Sequence, residues 1–299
     1  MENLGNDSGA EELFGIAIDP AVLFANHKNV YKRRIEKRQR KFVEKLTYLK
    51  PFLRPDERVT CVTTAHSPMS LLEQYLMGWI VFFLKRCLLV STNKRVLHIP
   101  AKMDYSYRNS IAQILYADCQ SIAIKGRTLV VKYRNNRKEK FYHIASKERK
   151  KIKSLLRTVS LEGQQSAAQE RTHLCPRCTE ELVKDRYTCP SCELKFKNKA
   201  EARRISIIYP GGGYFYTRHP MLGLGDAFVE LILMTLIITS LIGAIRGIED
   251  SDFSVVVFLT IVLAIEKAIT VHDSNKFINE YIPIEKEIKP IEQLAELTD

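Results

Sequence analysis

The sequence predicts an α+β chain in three parts: an antiparallel sheet domain with a closing helix, a small cysteine-rich module, and a C-terminal pair of apolar helices. Three observations carry this. Short β-branched and aromatic runs alternate with turn chemistry over residues 51–160. Four cysteines stand in two CxxC pairs between Cys175 and Cys192. Two 19-residue apolar stretches, 227–245 and 253–271, close the chain apart from a short polar tail.

The chain has 299 residues, room for two modest domains or for one domain plus membrane segments. A mean hydropathy of -0.16 is too polar for a polytopic transporter. Net charge is +12, and residues 28–50 hold ten Lys/Arg against Glu36 and Glu44. Such a bias suits an anionic surface, either lipid headgroups or nucleic acid, or else a solvated helix face. The stretch "MENLGNDSGAEELFGIAIDP" lacks a basic region followed by an apolar one, so no cleavable signal peptide is expected. Cys61, Cys87 and Cys119 are scattered singly, and seven cysteines in this distribution do not read as a disulfide framework. A reducing compartment fits better.

Residues 1–50 are read as an acidic tail or small packing segment up to about residue 27, then a basic helix ended by Pro51. Its apolar positions (Val30, Ile35, Phe42, Leu46 and Leu49) form a thin stripe, so it lies on a surface. Residues 51–160 are read as strands separated by "STNKR", "KGR" and "NNRK". They end in a helix with Ile152, Leu155, Leu156 and Val159 on one face and basic residues opposite. The ten-residue apolar run 75–84, "YLMGWIVFFL", is too short to cross a membrane. It is expected as a core strand with its loop, as an aromatic loop at the headgroup zone, or as an oligomer contact.

"RCLLVSTNKRVLHI" followed by "ADCQSIAIKGRTLVVKY" resembles the GRAM-like, bacterial pleckstrin-homology-like domains over about 100 residues. Thr92, Asn93, Lys94 and Arg95 match that family's hairpin turn, and Tyr116, Asp118 and Ile122 match the following strand approximately. The resemblance implies a curved antiparallel half-barrel with a C-terminal helix that binds lipid or protein and is not an enzyme.

After a linker at 161–172, the segment 173–197 holds Cys175, Cys178, Cys189 and Cys192 in a C-x2-C-x10-C-x2-C pattern. Four soft thiolates on two tight knuckles suit one tetrahedral zinc ion, and leave no open position for a catalytic water. The pattern resembles zinc ribbons, which implies structural Zn2+. A redox CxxC pair is the competing reading.

Residues 198–226 are expected as a linker and a membrane-entering turn. Each apolar helix, 227–245 and 253–271, spans roughly 28 Å at 1.5 Å per residue, close to a hydrocarbon core of about 30 Å. The connector 246–252 carries one Arg against three acids, whereas Lys195, Lys197, Lys199, Arg203, Arg204 and Lys276 flank the hairpin's other end. The charge bias expects both ends, including the 272–299 tail, in the cytoplasm and the connector outside. Glu230, Glu266 and Lys267 lie inside the spans. Glu230 and Lys267 fall level with each other in an antiparallel hairpin, as an ion pair or as separately snorkelling side chains.

"PGGGYFY" lacks the GxxxxGK[ST] or GxGxxG order of a phosphate loop. Pro210, Gly211, Gly213, Phe215 and Tyr216, with a glycine near Gly223, resemble the "PGxGxFY" start of a family of two-helix membrane hairpins. That family's Asp at the end of the second helix has only His272-Asp273 as an approximate counterpart. The glycines are expected to turn the chain into the membrane, with Tyr214, Phe215 and Tyr216 at headgroup depth and Arg218 and His219 towards phosphates.

Together these resemblances imply a bacterial-type inner-membrane protein. The seven histidines are scattered, and no HExxH, GxSxG or Walker pattern is present. The expected function is a membrane-anchored cytoplasmic adaptor or sensor, non-catalytic, contacting the bilayer, a protein partner or second copy, and anionic headgroups. The alternative is a membrane-tethered nucleic-acid-binding protein using the cysteine module and the basic helix, and an enzyme is the third reading.

Overall fold

Glu11–Leu13 (β1) and Ile16–Ile18 (β2) form a tight hairpin turned by Phe14 and Gly15, both at positive φ. The acidic N-terminal segment is therefore a packing element from Glu11 onward, with Ile16 and Ile18 fully buried. The structure, a computed structural model, describes residues 11–70, 73–75, 78–247, 253–285 and 288. Residues 248–252, most of the expected outside connector, and nearly all of the tail beyond 285 lie outside the described residues. The fold is α+β, and the chain divides into two compact units, one up to Val183 and one from Lys184 to Glu287.

In the first unit, an eight-stranded sheet is built around a meander of Val59–His66 (β3), Arg86–Thr92 (β4), Arg95–Pro100 (β5) and Ile111–Leu115 (β6). The β1–β2 hairpin extends one edge through a parallel pairing of Ile18 with Val59. Thr172–Leu174 (β10) and Glu181–Leu182 (β11) extend the other. A second sheet holds Cys119–Lys125 (β7), Thr128–Tyr133 (β8) and Lys138–Phe141 (β9), followed by the helix Ser146–Thr158 (α4). Among the described residues, Pro20–Leu23 (α1), Arg33–Glu44 (α2) and Ile80–Leu84 (α3) are helices that precede it.

The large sheet is a middle layer. Leu88, Val90, Leu97 and Ile99 pack into one core with Ile16, Ile18 and Val43, and Cys87, Leu89 and Val96 into another with Val131, Phe141 and Ile152. Burial on both faces explains why β4 and β5 read as nearly continuous apolar runs. The basic helix is shorter than its sequence pattern, ending at Glu44 before a 3-10 turn, Thr47–Phe52, that contains Pro51. Gln39 on α2 is buried and bonds both ways to the backbone of Val62, donating to its carbonyl and accepting from its amide, each at 2.9 Å. This amide imitates a neighbouring strand.

The Thr92-Asn93-Lys94-Arg95 turn is locked to the segment before β3. Arg95 donates from Nε to Glu57 Oε1 and from Nη2 to Oε2, both at 2.8 Å, and both side chains are buried. Thr92 Oγ1 donates to the same carboxylate at 2.7 Å, and Asn93 Oδ1 accepts from the Arg58 amide at 2.9 Å.

The described part of the run 75–84, Tyr75 and residues 78–84, is not a core strand. Gly78 has a φ of +52, which breaks an extended path, and residues 80–84 are helical. Tyr75 and Trp79 are 86% and 70% exposed, while Val81 is buried. The flanking charges Glu73 and Lys85 are paired at 3.5 Å and buried.

The second unit contains Lys199–Ile208 (α5), Gly212–Tyr216 (α6), Pro220–Arg246 (α7) and Phe253–Ile278 (α8). Two helices thus occupy residues 198–226, and α7 starts seven residues before the expected span because Pro220 suits the first helical position. Asn198 caps α5 by accepting from the Glu201 amide at 2.8 Å. Helices α7 and α8 are long and apolar enough to cross a membrane, and only 11% and 6% of their most apolar stretches is buried within the chain.

Candidate functional site

The two cysteine knuckles share one backbone design. In the first, the Cys175 amide donates to Glu180 O at 2.8 Å and the Thr179 amide to Cys175 O at 2.9 Å. In the second, the Cys189 amide donates to Leu194 O at 2.9 Å and the Glu193 amide to Cys189 O at 3.2 Å. Thr179 and Glu193, each just past the second cysteine, both adopt positive φ. The four cysteines form no disulfide, and their sulfurs all lie within 4.8 Å of one another. Thiolates around one tetrahedral ion sit roughly 3.8 Å apart, from a metal–sulfur distance of about 2.3 Å. The donor set therefore fits, and the four cysteines could hold a metal ion.

Each glycine of "PGGG" abuts a different neighbour. Gly211 is left-handed, φ +64, and a Cβ there would collide with the Gly223 carbonyl and approach Ala227 Cβ to 3.1 Å. One at Gly212 would strike Ile205 on α5, and one at Gly213 the hydroxyls of Ser206 and Ser274. Gly223 in turn leaves room for the Phe215 ring, where a Cβ would sit at 2.9 Å. The glycines allow close helix packing and form no open loop.

The aromatic residues of this segment differ in environment. Tyr214 is buried and donates to Asp273 Oδ2 at 3.2 Å; Phe215 is 43% exposed; and Tyr216 is half-buried, its hydroxyl accepting from the Asn198 amide at 3.3 Å. His219 is buried and stacks on Phe277 with ring centroids 3.9 Å apart. Arg218 Nη2 donates to the carbonyls of Ile284 and Glu285, at 3.1 and 2.8 Å. Those internal partners overturn the expectation that His219 and Arg218 point to phosphates.

Glu230 and Lys267 are brought together, with Nζ 2.6 Å from Oε2. Lys267 Nζ also donates to Ser206 O at 2.8 Å, so one cation serves both a carboxylate and the carbonyl end of α5. Asp226, which the sequence reading passed over, has a carboxylate oxygen within 4.8 Å of those of Glu230 and Glu266. The legible signal was spacing: Asp226–Glu230 and Glu266–Thr270 are both i, i+4 pairs on one helix face.

In the first unit, Ser67 Oγ lies 2.8 Å from His98 Nε2, a pairing with no sequence signal. Arg171 Nη1 donates to His98 Nδ1 at 3.0 Å, so Nε2 carries the proton and donates to the hydroxyl. Burial, and then the Arg171 charge, hold His98 well below the ordinary histidine range. A neutral imidazole that donates to Ser67 cannot take its proton, so this is a structural link.

No family model, curated protein or solved structure matches this chain.

Proposed function

We propose that this chain is a membrane-anchored, non-catalytic adaptor whose sheet domain and cysteine module bind a protein or lipid partner on the cytoplasmic side. The observation that carries the reading is the apolar surface of α7 and α8, including Phe228 at 67% and Phe258 at 64% exposure, which water would not tolerate over two such long helices. The sheet domain's β3–β6 meander, β7–β9 meander and following helix supports the pleckstrin-homology-like reading. Exposed Tyr75 and Trp79 offer the aromatic surface favoured at a headgroup interface. Four thiolates favour zinc, held structurally, and a zinc ribbon is the module they fit. The flanking basic residues favour both ends in the cytoplasm, with the connector outside.

Fractionation tests this reading. Recovery with membranes after high-salt and alkaline carbonate washes is expected, with release only by detergent. Recovery of the intact chain in the soluble fraction overturns it.

A further inference from the structure

We infer that Asp226, Glu230, Glu266 and Thr270 form a binding site for one hard divalent cation of the magnesium–calcium class. It lies at the end of the α7–α8 hairpin remote from the 246–252 connector.

Charge makes the first argument. One carboxylate oxygen from each of the three acids falls within a 4.8 Å group, and the Glu266 carboxyl is within hydrogen-bonding reach of both Asp226 and Glu230. Lys267 neutralises one of the three, on Glu230 Oε2 at 2.6 Å. With all three acids deprotonated, two negative charges are left, which one divalent ion balances.

Satisfaction makes the second. Glu230 is 0% exposed, and its Oε1 is buried without a hydrogen-bond partner, as is Glu266 Oε2. Thr270 Oγ1 lies 3.1 Å from Asp226 Oδ2 and 3.2 Å from Glu266 Oε1, yet its single proton can serve only one of them. More acceptors converge than protein donors can satisfy. A buried carboxylate oxygen left unpaired is costly, and a cation removes that cost for several oxygens at once.

Size and donor type make the third. Ligands on opposite sides of a hard cation, at roughly 2.0–2.6 Å each, are about 4–5 Å apart, which matches the spread of these oxygens. An all-oxygen set of carboxylates and a hydroxyl selects magnesium, calcium or manganese over zinc, which the thiolate module takes. The site thus goes beyond the adaptor reading and does not depend on it.

The test uses the full chain in mild detergent, zinc-loaded and free of other divalent ions, titrated with Mn2+ while electron paramagnetic resonance reads the free ion. One saturable Mn2+ per chain is expected, displaced by Mg2+ or Ca2+. Its affinity should fall roughly tenfold or more in Glu266→Gln and in Thr270→Ala, with zinc content unchanged. Thr270→Ala removes no charge, so it tests the site even where Glu266→Gln folds poorly. Absence of saturable Mn2+ in the wild-type chain overturns the proposal, as does a wild-type affinity in both variants. A protonated-carboxyl infrared band lost in Glu266→Gln, with no Mn2+ bound, would assign a proton in place of the cation and also overturn it.

Discussion

The Tyr214 hydroxyl and the Asp273 carboxylate meet at 3.2 Å, both side chains buried, joining the short glycine-containing helix α6 to the end of the second apolar helix. Burial first, and the Asp273 charge second, push the Tyr214 phenol above its ordinary value, so it remains a donor. Tyr214→Phe should cost about 1.5–3 kcal/mol, the range for a hydrogen bond to a charged group. Thermal unfolding in detergent measures it, and an unchanged midpoint would show the bond to be energetically idle.

The glycines separate by surroundings. Gly211→Ala meets a backbone carbonyl and a left-handed φ, whereas a Cβ at Gly225 has nothing within 4 Å. Gly211→Ala should lose about 1–3 kcal/mol through overpacking and strain. Gly225→Ala, in a helix interior, should be neutral or stabilising by up to about 1 kcal/mol. Equal melting temperatures for the two variants would refute the packing account.

In the sheet domain, Arg95→Met leaves Glu57 buried without its cation and should cost roughly 3–5 kcal/mol. Lys94 next to it pairs with Asp56 at the exposed surface, and Lys94→Ala should change stability by about 0.5 kcal/mol or less. Urea unfolding of the two variants distinguishes a buried pair from a surface one.

His98 predicts an acid sensitivity. An unfolded-chain histidine takes a proton near pH 6.5, but His98, with its depressed value, stays neutral well below that. The unfolded state binds more protons in that window, so stability falls as pH drops below about 6.5, by up to about 1.4 kcal/mol per pH unit. His98→Gln should flatten this slope, measured as unfolding free energy against pH.

Metal removal should open the cysteine module. With the proposed ion bound, a segment of this size gains the order that its small core cannot supply. Chelation under reducing conditions should release one thiolate-bound metal per chain and make residues 175–195 protease-sensitive. Cobalt substitution should give the thiolate absorption of a tetrahedral site, and Cys189→Ser should abolish it.

The strands were legible because β4 and β5 are apolar on both faces and are bounded by turn residues. The cysteine knuckles were legible from spacing alone. The β1–β2 hairpin was not, because three-residue strands are too short to show a period. Helix α6 was obscured by glycines that usually break helices; close approach to Ile205, Ser206 and Ser274 outweighs their propensity. A capping signal for α5 stood in plain view, Asn198 followed three residues later by Glu201. Asp226 was missed because it falls one residue outside the apolar window, although it lies on the same helix face as Glu230.

Lys267 has a consequence for how the two long helices can move. Both are apolar on nearly every side, so hydrophobic contact does not distinguish one vertical alignment from another a turn away. Sliding by one turn, about 5.4 Å, would part Lys267 from both Glu230 and the Ser206 carbonyl. With the Thr270–Asp226 contact at 3.1 Å, that ammonium acts as an index mark: the two select one alignment of the hairpin from a set that the apolar side chains leave nearly equivalent.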